Sequence, residues 1–352
     1  MSATLATSPA SAFSTQSPKM SPSDIKDVLA TSYGIQGTVK LLTSERDLTA
    51  HVVAAEGDRE FVFKVANSSE DPAVVDLQNK ALDYIALTPC EVPVPEVIRS
   101  VDGARQIVLD IGGSRHVARM LSYLQGMPVY LTQSTVRQRR ALGTSLGNLS
   151  LALAGFTHPA AGHEILWDLK HTAKLEERTQ YIDDAAKREL VETILRRFRD
   201  NVKMVEPSLR HQVVHNDFNL HNVLVDQSDH DKVSGILDFG DIVDAPLIYD
   251  VAVACSYQVP DTGDPLSLAT EFLSAYHAVN PLSEEEIDLL FDLINTRNAM
   301  TVTITEWRSK LYPENSTYIL RNNPRATLAL ERYTTISREE ARAAFRAACG
   351  FR

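Results

Sequence analysis

Several protein classes are excluded by what this sequence lacks. Three cysteines occur in 352 residues, Cys90, Cys255 and Cys349, widely spaced and with no CxxC pair. That argues against a cysteine-built zinc site or a disulfide framework and fits a reducing compartment, so a cytoplasmic location is expected. No run of about 18 uncharged apolar residues occurs, and no segment is expected to span a membrane. Basic residues are outnumbered, 35 Lys+Arg against 46 Asp+Glu, for a formal charge of −11. A surface this acidic repels phosphate backbones and anionic lipid heads, which speaks against general nucleic-acid or membrane-surface binding and leaves room for a local basic pocket. Aromatic residues are 7% of the chain, a share that neither supplies nor excludes an aromatic cage for a quaternary amine. No internal repeat is found.

Hydrophobic residues make up 44% and charged residues 23%, the mix of an ordinary globular protein with material for a sizeable core. At about 100–200 residues per domain, the length allows two domains or one two-lobed enzyme. Residues 1–20 are mostly Ser, Thr, Ala and Pro, with no acidic residue and no Arg. They lack the basic start and apolar run of a secretory signal and read as a disordered tail, with an organelle transit peptide as the alternative.

Residues 23–33 open with a cap signal at Ser23 and place Ile25, Val28 and Leu29 on one helical face. Strand-like runs follow at 37–42, 49–55 and 60–65, then helical spacing over 73–87, stopped by the proline-rich PCEVPVPEV, then strand candidates at 106–110 and 116–123. After Gly126 the periodicity becomes helical, at 133–154, 183–202, 262–278, 283–310 and 336–348. The pattern predicts an α+β protein of two lobes. An N-terminal lobe, 21–125, holds an antiparallel sheet with one helix; a mostly helical C-terminal lobe spans 126–352. A cleft is expected at the connector.

The exception to the helical pattern is the most informative stretch, HQVVHNDFNLHNVLVDQSDHDKVSGILDFGD at 211–241. Two short apolar runs, 223–225 and 233–237, flank a polar tip and predict a hairpin that brings Asn222 and Asp238 together at its open end. Asp217 sits on the loop just before it. Three oxygen-bearing side chains in one small volume suit phosphoryl transfer. A carboxylate and an amide oxygen, completed by nucleotide phosphates, suit Mg²⁺, while a separate carboxylate accepts the proton of an attacking hydroxyl and aims it. The assignment is Asn222 and Asp238 to the metal and Asp217 to the base, with His215 bracing the loop by hydrogen bonds.

His215-x-Asp217-x-x-x-x-Asn222 followed by Asp238-Phe239-Gly240 resembles the catalytic and metal-binding loops of protein-kinase-like folds. The form HNDFNLHNVLVD…GILDFGD is similar to the aminoglycoside phosphotransferase/choline kinase superfamily, and within it to the hydroxylysine kinase group. FVFKVAN, VARMLSYLQG, WDLKH and LINTRNAMTVTITEWR resemble that group's segments at matching points, over about residues 23–349. The resemblance implies a two-lobed protein-kinase-like fold and an ATP-dependent (or GTP-dependent) kinase that uses Mg²⁺.

It also implies that Lys64 pairs with the α- and β-phosphates, against the alternative of a solvated edge lysine. Gln78 stands where a glutamate partner for that lysine is usual; it can hydrogen-bond Lys64 but not neutralise it. The phosphate-covering loop would be Thr43–Asp47, not glycine-rich, with backbone amides and the Ser44 hydroxyl as the cradle or with a plain β-turn in its place. The connector, Arg119 through Met120 and Leu121 to Tyr123, would hold the adenine by backbone groups.

Acceptor candidates are Asp241, Asp244, Trp167, Asp168, Arg297, Glu306 and Trp307. Asp241 and Asp244 either favour a cationic, amine-bearing substrate or cap the next helix. Arg297 lies in a helix that is apolar nearly all round and needs an anionic partner, either a structural carboxylate or that of an amino-acid substrate. Asp250 is read as structural, tying its helix to the catalytic loop. The expected substrate is a small hydroxylated amine or amino acid, hydroxylysine first, with aminoglycoside, homoserine, choline or ethanolamine as alternatives. A catalytically silent nucleotide-binding protein is the alternative of another class. The protein is expected to be a monomer or homodimer.

Overall fold

The computed structural model describes residues 17–44, 46–89 and 93–351. Most of the expected tail, as well as Glu45 of the phosphate-loop reading and Cys90, lie outside them. By contacts the described chain divides into two compact units. The first runs to Gln125 and includes residues 158–163; the second begins at Gly126.

In the first unit, α1 (Pro22–Val28) continues as a π-helical turn, Leu29–Tyr33. Its cap is Ser21 rather than Ser23. The Ser21 hydroxyl accepts from the Asp24 amide and the Asp24 carboxylate accepts from the Ser21 amide, so the reciprocal capping box decides the start. Strands β1 (Gly37–Leu42), β2 (Leu48–Ala54), β3 (Glu60–Val65), β4 (Val97–Ile98), β5 (Ile107–Ile111) and β6 (Ser114–Ser122) form one antiparallel sheet in the order β1-β2-β3-β6-β4, with β5 also on β6. Helix α2 (Pro72–Ala86) is the inserted helix, capped by Asp71, whose side chain accepts from the Ala73 amide. Alternation decides which face is core. Phe61, Phe63 and Val65 of β3 are buried with Ala50 and Val52 of β2, Ala118 and Met120 of β6, and Ile25 and Leu29 of the first helix. Lys64 therefore points to the other face.

The second unit is mostly helical: α3 (Val136–Ala152), α4 (Ala185–Arg197), α5 (Leu247–Ser256), α6 (Ser267–Val279), α7 (Glu284–Leu311), the single turn α8 (Ser316–Ile319), α9 (Asn323–Tyr333) and α10 (Arg338–Ala348). A 3₁₀ stretch, Leu169–Tyr181, precedes α4. Helix α7 is buried along nearly its whole length and so forms the axis of this unit. Helices α3 and α6 cross closely at two glycines. A Cβ at Gly143 would lie 2.2 Å from the Phe272 carbonyl oxygen, and one at Gly147 would lie 2.9 Å from the Val279 side chain. Set into this helical unit are two small antiparallel pairings: β9 (Val223–Val225) with β10 (Val233–Ile236) and the short β7 (Met127–Pro128), and β8 (His211–Val214) with β11 (Val243–Pro246). Among the described residues no helix is long and apolar enough to cross a membrane.

Candidate active site

Strand β8 ends at Val214, opposite Val243 of β11, and releases the chain into the loop 215–222. Two consecutive amides at the start of that loop, those of His215 and Asn216, donate to the Asp250 carboxylate at 3.3 and 2.8 Å. Asp250 is 2% exposed on α5 and spends its two oxygens on these amides, so it ties the loop to the helix as the sequence suggested. Burial raises the Asp250 pKa, opposed by His215 and by the two amides it receives. Asn216 is held at φ 62°, a conformation costly for a residue with a side chain and tolerable here because the amide tether over-determines it.

His215 fastens the loop to the far side of the hairpin. Its Nδ1 accepts from the Asp217 amide at 3.2 Å, which leaves Nε2 as the protonated nitrogen donating to the Leu237 carbonyl at 2.9 Å. Burial lowers its pKa, so the neutral ring is the form that does this. The Phe239 ring stands edge-on to it at 4.9 Å.

The hairpin registers Val223 opposite Ile236, and the Leu237 amide donates to the Asn222 carbonyl at 2.7 Å. Asn222 and Asp238 are thus brought to the open end together. Asp238 leaves the strand at φ 56°, ψ 79°, and its residue is exposed. Asn222 donates through Nδ2 to both the Asp217 main-chain oxygen, at 3.1 Å, and its Oδ2, at 2.8 Å. With the amide protons so committed, the amide oxygen is the atom left to ligate. A carboxylate and an amide oxygen form a hard donor set that fits Mg²⁺ or a similar divalent ion, with water and phosphate oxygens as its other ligands. Among the described residues no group of three or more His, Cys, Asp and Glu side chains is arranged to hold a metal.

On its other side Asp217 meets Arg297, whose Nη2 lies 3.5 Å from Oδ1. Arg297 is 2% exposed. Its Nη1 donates to the Trp167 carbonyl at 2.7 Å, its guanidinium carbon stands 5.1 Å from the Trp167 ring centroid, and Tyr257 hydrogen-bonds it as well. The anionic partner sought for Arg297 is therefore Asp217 itself. Burial pushes the Asp217 carboxyl up to about 6; the charge of Arg297 and hydrogen bonds from Asn219 and Asn222 oppose that, and the Asp238 charge adds to it. A carboxylate with this proton affinity, fixed on both oxygens, is suited to take a proton from a hydroxyl.

The remaining acceptor candidates scatter. Trp167 belongs to the site through Arg297. Asp168 is fully buried and caps the 3₁₀ stretch through the Lys170 amide, with Lys170 Nζ 3.3 Å from its carboxylate. Asp244 lies within β11, opposite Val213, with His211 at 3.4 Å; it continues a strand and caps no helix. Asp241 ends the turn Phe239–Asp241. Trp307 is ten residues beyond Arg297 on α7, about 15 Å along the axis, under Arg178 at 4.4 Å; Glu306 pairs with Lys187 at 3.4 Å. Two contributors escaped the sequence reading. Asn219 accepts the His221 and Asn222 amides at 2.8 and 3.2 Å and so shapes the loop, as an Asn at such a turn does. Tyr257 carries no sequence signal.

In the first unit, Lys64 of β3 is registered between Thr49 of β2 and Arg119 of β6. Gln78 and Asn79 of α2 both accept from Arg119, the Asn79 contact at 2.9 Å. Gln78 is thus engaged by a buried arginine that the sequence reading had given to the connector. Arg119, Met120 and Leu121 are strand residues paired with β3, and Met120 and Leu121 pair with β4 too. The connector proper follows Ser122. Ser44 lies half-buried in the β1–β2 turn. Beyond it, Arg46 pairs with Glu70 at 3.0 Å and Asp47 accepts the Asn67 amide at 3.1 Å, so these side chains brace the turn.

Known proteins resemble this chain in sequence and in fold. Hydroxylysine kinase of Mus musculus is 29% identical over 74% of the chain and 73% of its own length. Hydroxylysine kinase of Danio rerio is 26% identical over 92% of the chain and 94% of its own. A microcompartment-associated aminopropanol kinase superposes with a TM-score of 0.71 at 18% identity, covering 89% of this chain and 97% of that one. Residues 38–287 match the phosphotransferase enzyme family, APH. The chain belongs to that family and is a kinase of the protein-kinase-like fold.

Proposed function

We propose that the protein transfers the γ-phosphoryl group of ATP to the hydroxyl of a small hydroxy-amino acid, with hydroxylysine as the first choice. The observation that carries the chemistry is the Asp217 carboxylate, held by Asn222 at 2.8 Å and by Arg297 at 3.5 Å and raised in proton affinity by burial. The substrate class is supported by the hydroxylysine kinase relatives.

In this reading Asp217 accepts the hydroxyl proton and aims the oxygen at the phosphorus. Arg297 and Asn222 hold that carboxylate in place; His215 and Asp250 hold the loop that carries it. Asn222 and Asp238 would bind a divalent ion, Mg²⁺ first, which when bound neutralises charge on the phosphates. Lys64 is assigned to the phosphates, as the resemblance implies.

The test is ATP consumption with a panel of hydroxylysine, homoserine, ethanolamine, choline and an aminoglycoside. Wild type is expected to turn over ATP fastest with a hydroxy-amino acid, and Asp217→Ala to lose that stimulation. Undiminished substrate-dependent turnover in Asp217→Ala would remove the assigned mechanism. Stimulation by choline or an aminoglycoside alone would move the substrate class.

A further inference from the structure

We infer that Glu60 is a positioning residue for the nucleotide, a latch that fixes the connector and so sets how tightly the base is held. The inference rests on the reading of the connector as the segment that holds adenine, and every residue it uses lies in the first unit. Phe61, Phe63 and Val65 of β3 face the core, so alternation puts Glu60, Val62 and Lys64 together on the opposite face. Directly opposed residues of neighbouring strands share a face. Lys64 therefore stands beside Arg119 of β6, and Val62 stands between His51 of β2 and Leu121 of β6. Glu60 comes next along β3. Each step of two residues is about 7 Å. With Lys64 on the phosphates, the base end of the nucleotide points along this row, past Val62 and Leu121, toward Glu60 and the connector.

Glu60 grips the connector with all its acceptors. Its main-chain carbonyl takes the Tyr123 amide at 3.1 Å, one residue past the end of β6. Its Oε1 takes Gln125 Nε2 at 2.6 Å, and its Oε2 takes His51 Nε2 at 2.5 Å. A carboxylate only accepts, so both nitrogens donate. The His51 ring so fixed lies under the Tyr123 ring, with centroids 4.4 Å apart and planes inclined at 37°. From the other side Ser122 is held by Glu96, whose amide donates to the Ser122 hydroxyl and whose carbonyl accepts the Ser122 amide, both at 2.9 Å.

A segment that holds a base through its main chain must keep those groups in place to within a fraction of an ångström, and β6 has ended by Ser122. Each contact of Glu60 is small alone, since the side chains are partly solvated. Together they join residues 123 and 125 to the sheet before the nucleotide arrives. Ordering done in advance is not charged against binding. Glu60 thereby serves the base end of the nucleotide as Lys64 serves the phosphates, without touching either.

The experiment compares ADP with pyrophosphate, which has the phosphates and no base, by calorimetric titration of the full chain with Mg²⁺ present. Glu60→Ala is expected to raise the Kd for ADP about tenfold, the factor for ordering one or two loosened side chains on binding, and to leave the Kd for pyrophosphate unmoved. Glu60→Gln should recover most of the affinity, because the His51 tautomer and the Gln125 amide can both turn to suit an amide partner. Equal losses for ADP and pyrophosphate, no loss for either, or a Glu60→Gln protein as weak as Glu60→Ala would overturn the assignment. Should Glu60→Ala not fold, His51→Ala and Gln125→Ala each remove one arm of the latch, and the assignment falls if neither weakens ADP selectively. If wild type binds ADP no more tightly than pyrophosphate, the connector reading itself has failed and the latch with it, while transfer to the acceptor hydroxyl is judged separately by the substrate panel.

Discussion

Removing the Asp250 carboxylate is the sharpest structural perturbation that leaves every proposed reacting group in place. Its two oxygens take the His215 and Asn216 amides at 3.3 and 2.8 Å, and the residue is 2% exposed, so water cannot easily replace it. In Asp250→Ala both amides lose their acceptor inside the unit. At about 1–3 kcal/mol for each buried donor left unmade, the cost is about 2–6 kcal/mol. Asp250→Asn keeps one acceptor oxygen but turns an NH₂ group toward the second amide, so about half that loss is expected. The tether also holds Asn216 at φ 62° and hence the direction in which the chain reaches Asp217. A displacement of the base by about 1 Å can cost on the order of 100-fold in rate. Denaturant unfolding followed by circular dichroism gives the first quantity, and kcat on folded protein gives the second. An Asp250→Ala protein within about 0.5 kcal/mol of wild type, the range of a neutral surface change, would refute the reasoning.

Other consequences are as direct. Gly143→Ala puts a methyl 2.2 Å from the Phe272 carbonyl oxygen, so α3 and α6 must separate; a loss of about 1–3 kcal/mol is expected in the same unfolding assay. Asp217 must be deprotonated to act as base and burial pushes it up to about 6, so kcat/KM should be level above that value and fall below it; a profile with no acidic limb would argue against the assignment. Asp238→Asn should raise the Mg²⁺ concentration needed for half-maximal rate by at least about tenfold, read from rate against metal at fixed ATP; an unchanged metal requirement would place the ion elsewhere.

Much of this was legible in the sequence because each signal was local. The β9–β10 hairpin follows from two apolar runs around a polar tip, and it delivers Asn222 and Asp238 to one end by register alone. Strands β1 and β3 fall at the expected bounds because alternation and turn residues agree there. What stayed hidden is set by contacts distant in sequence. The β8–β11 pairing joins residues some thirty positions apart in strands of four residues each, too short for a clear periodic signal. Arg297 could be read as buried and in need of an anion, but that the anion is Asp217, eighty positions earlier, depends on how α7 threads the unit. That Gln78 accepts from Arg119, 41 positions later, depends on the β3–β6 register. Asp244 could be read as a contact for a cationic substrate or as a helix cap; it pairs in β11, where the backbone ladder outweighs capping preference.

The central claim, phosphoryl transfer to a hydroxyl with Asp217 as base, is tested most directly by ³¹P NMR of the products formed from ATP, Mg²⁺ and hydroxylysine. Wild type is predicted to give a phosphate monoester coupled to a carbon-bound proton, in step with ADP, and Asp217→Asn to give none above background. Inorganic phosphate as the sole product, a phosphoramidate signal, or the ester formed at an undiminished rate by Asp217→Asn would contradict the account.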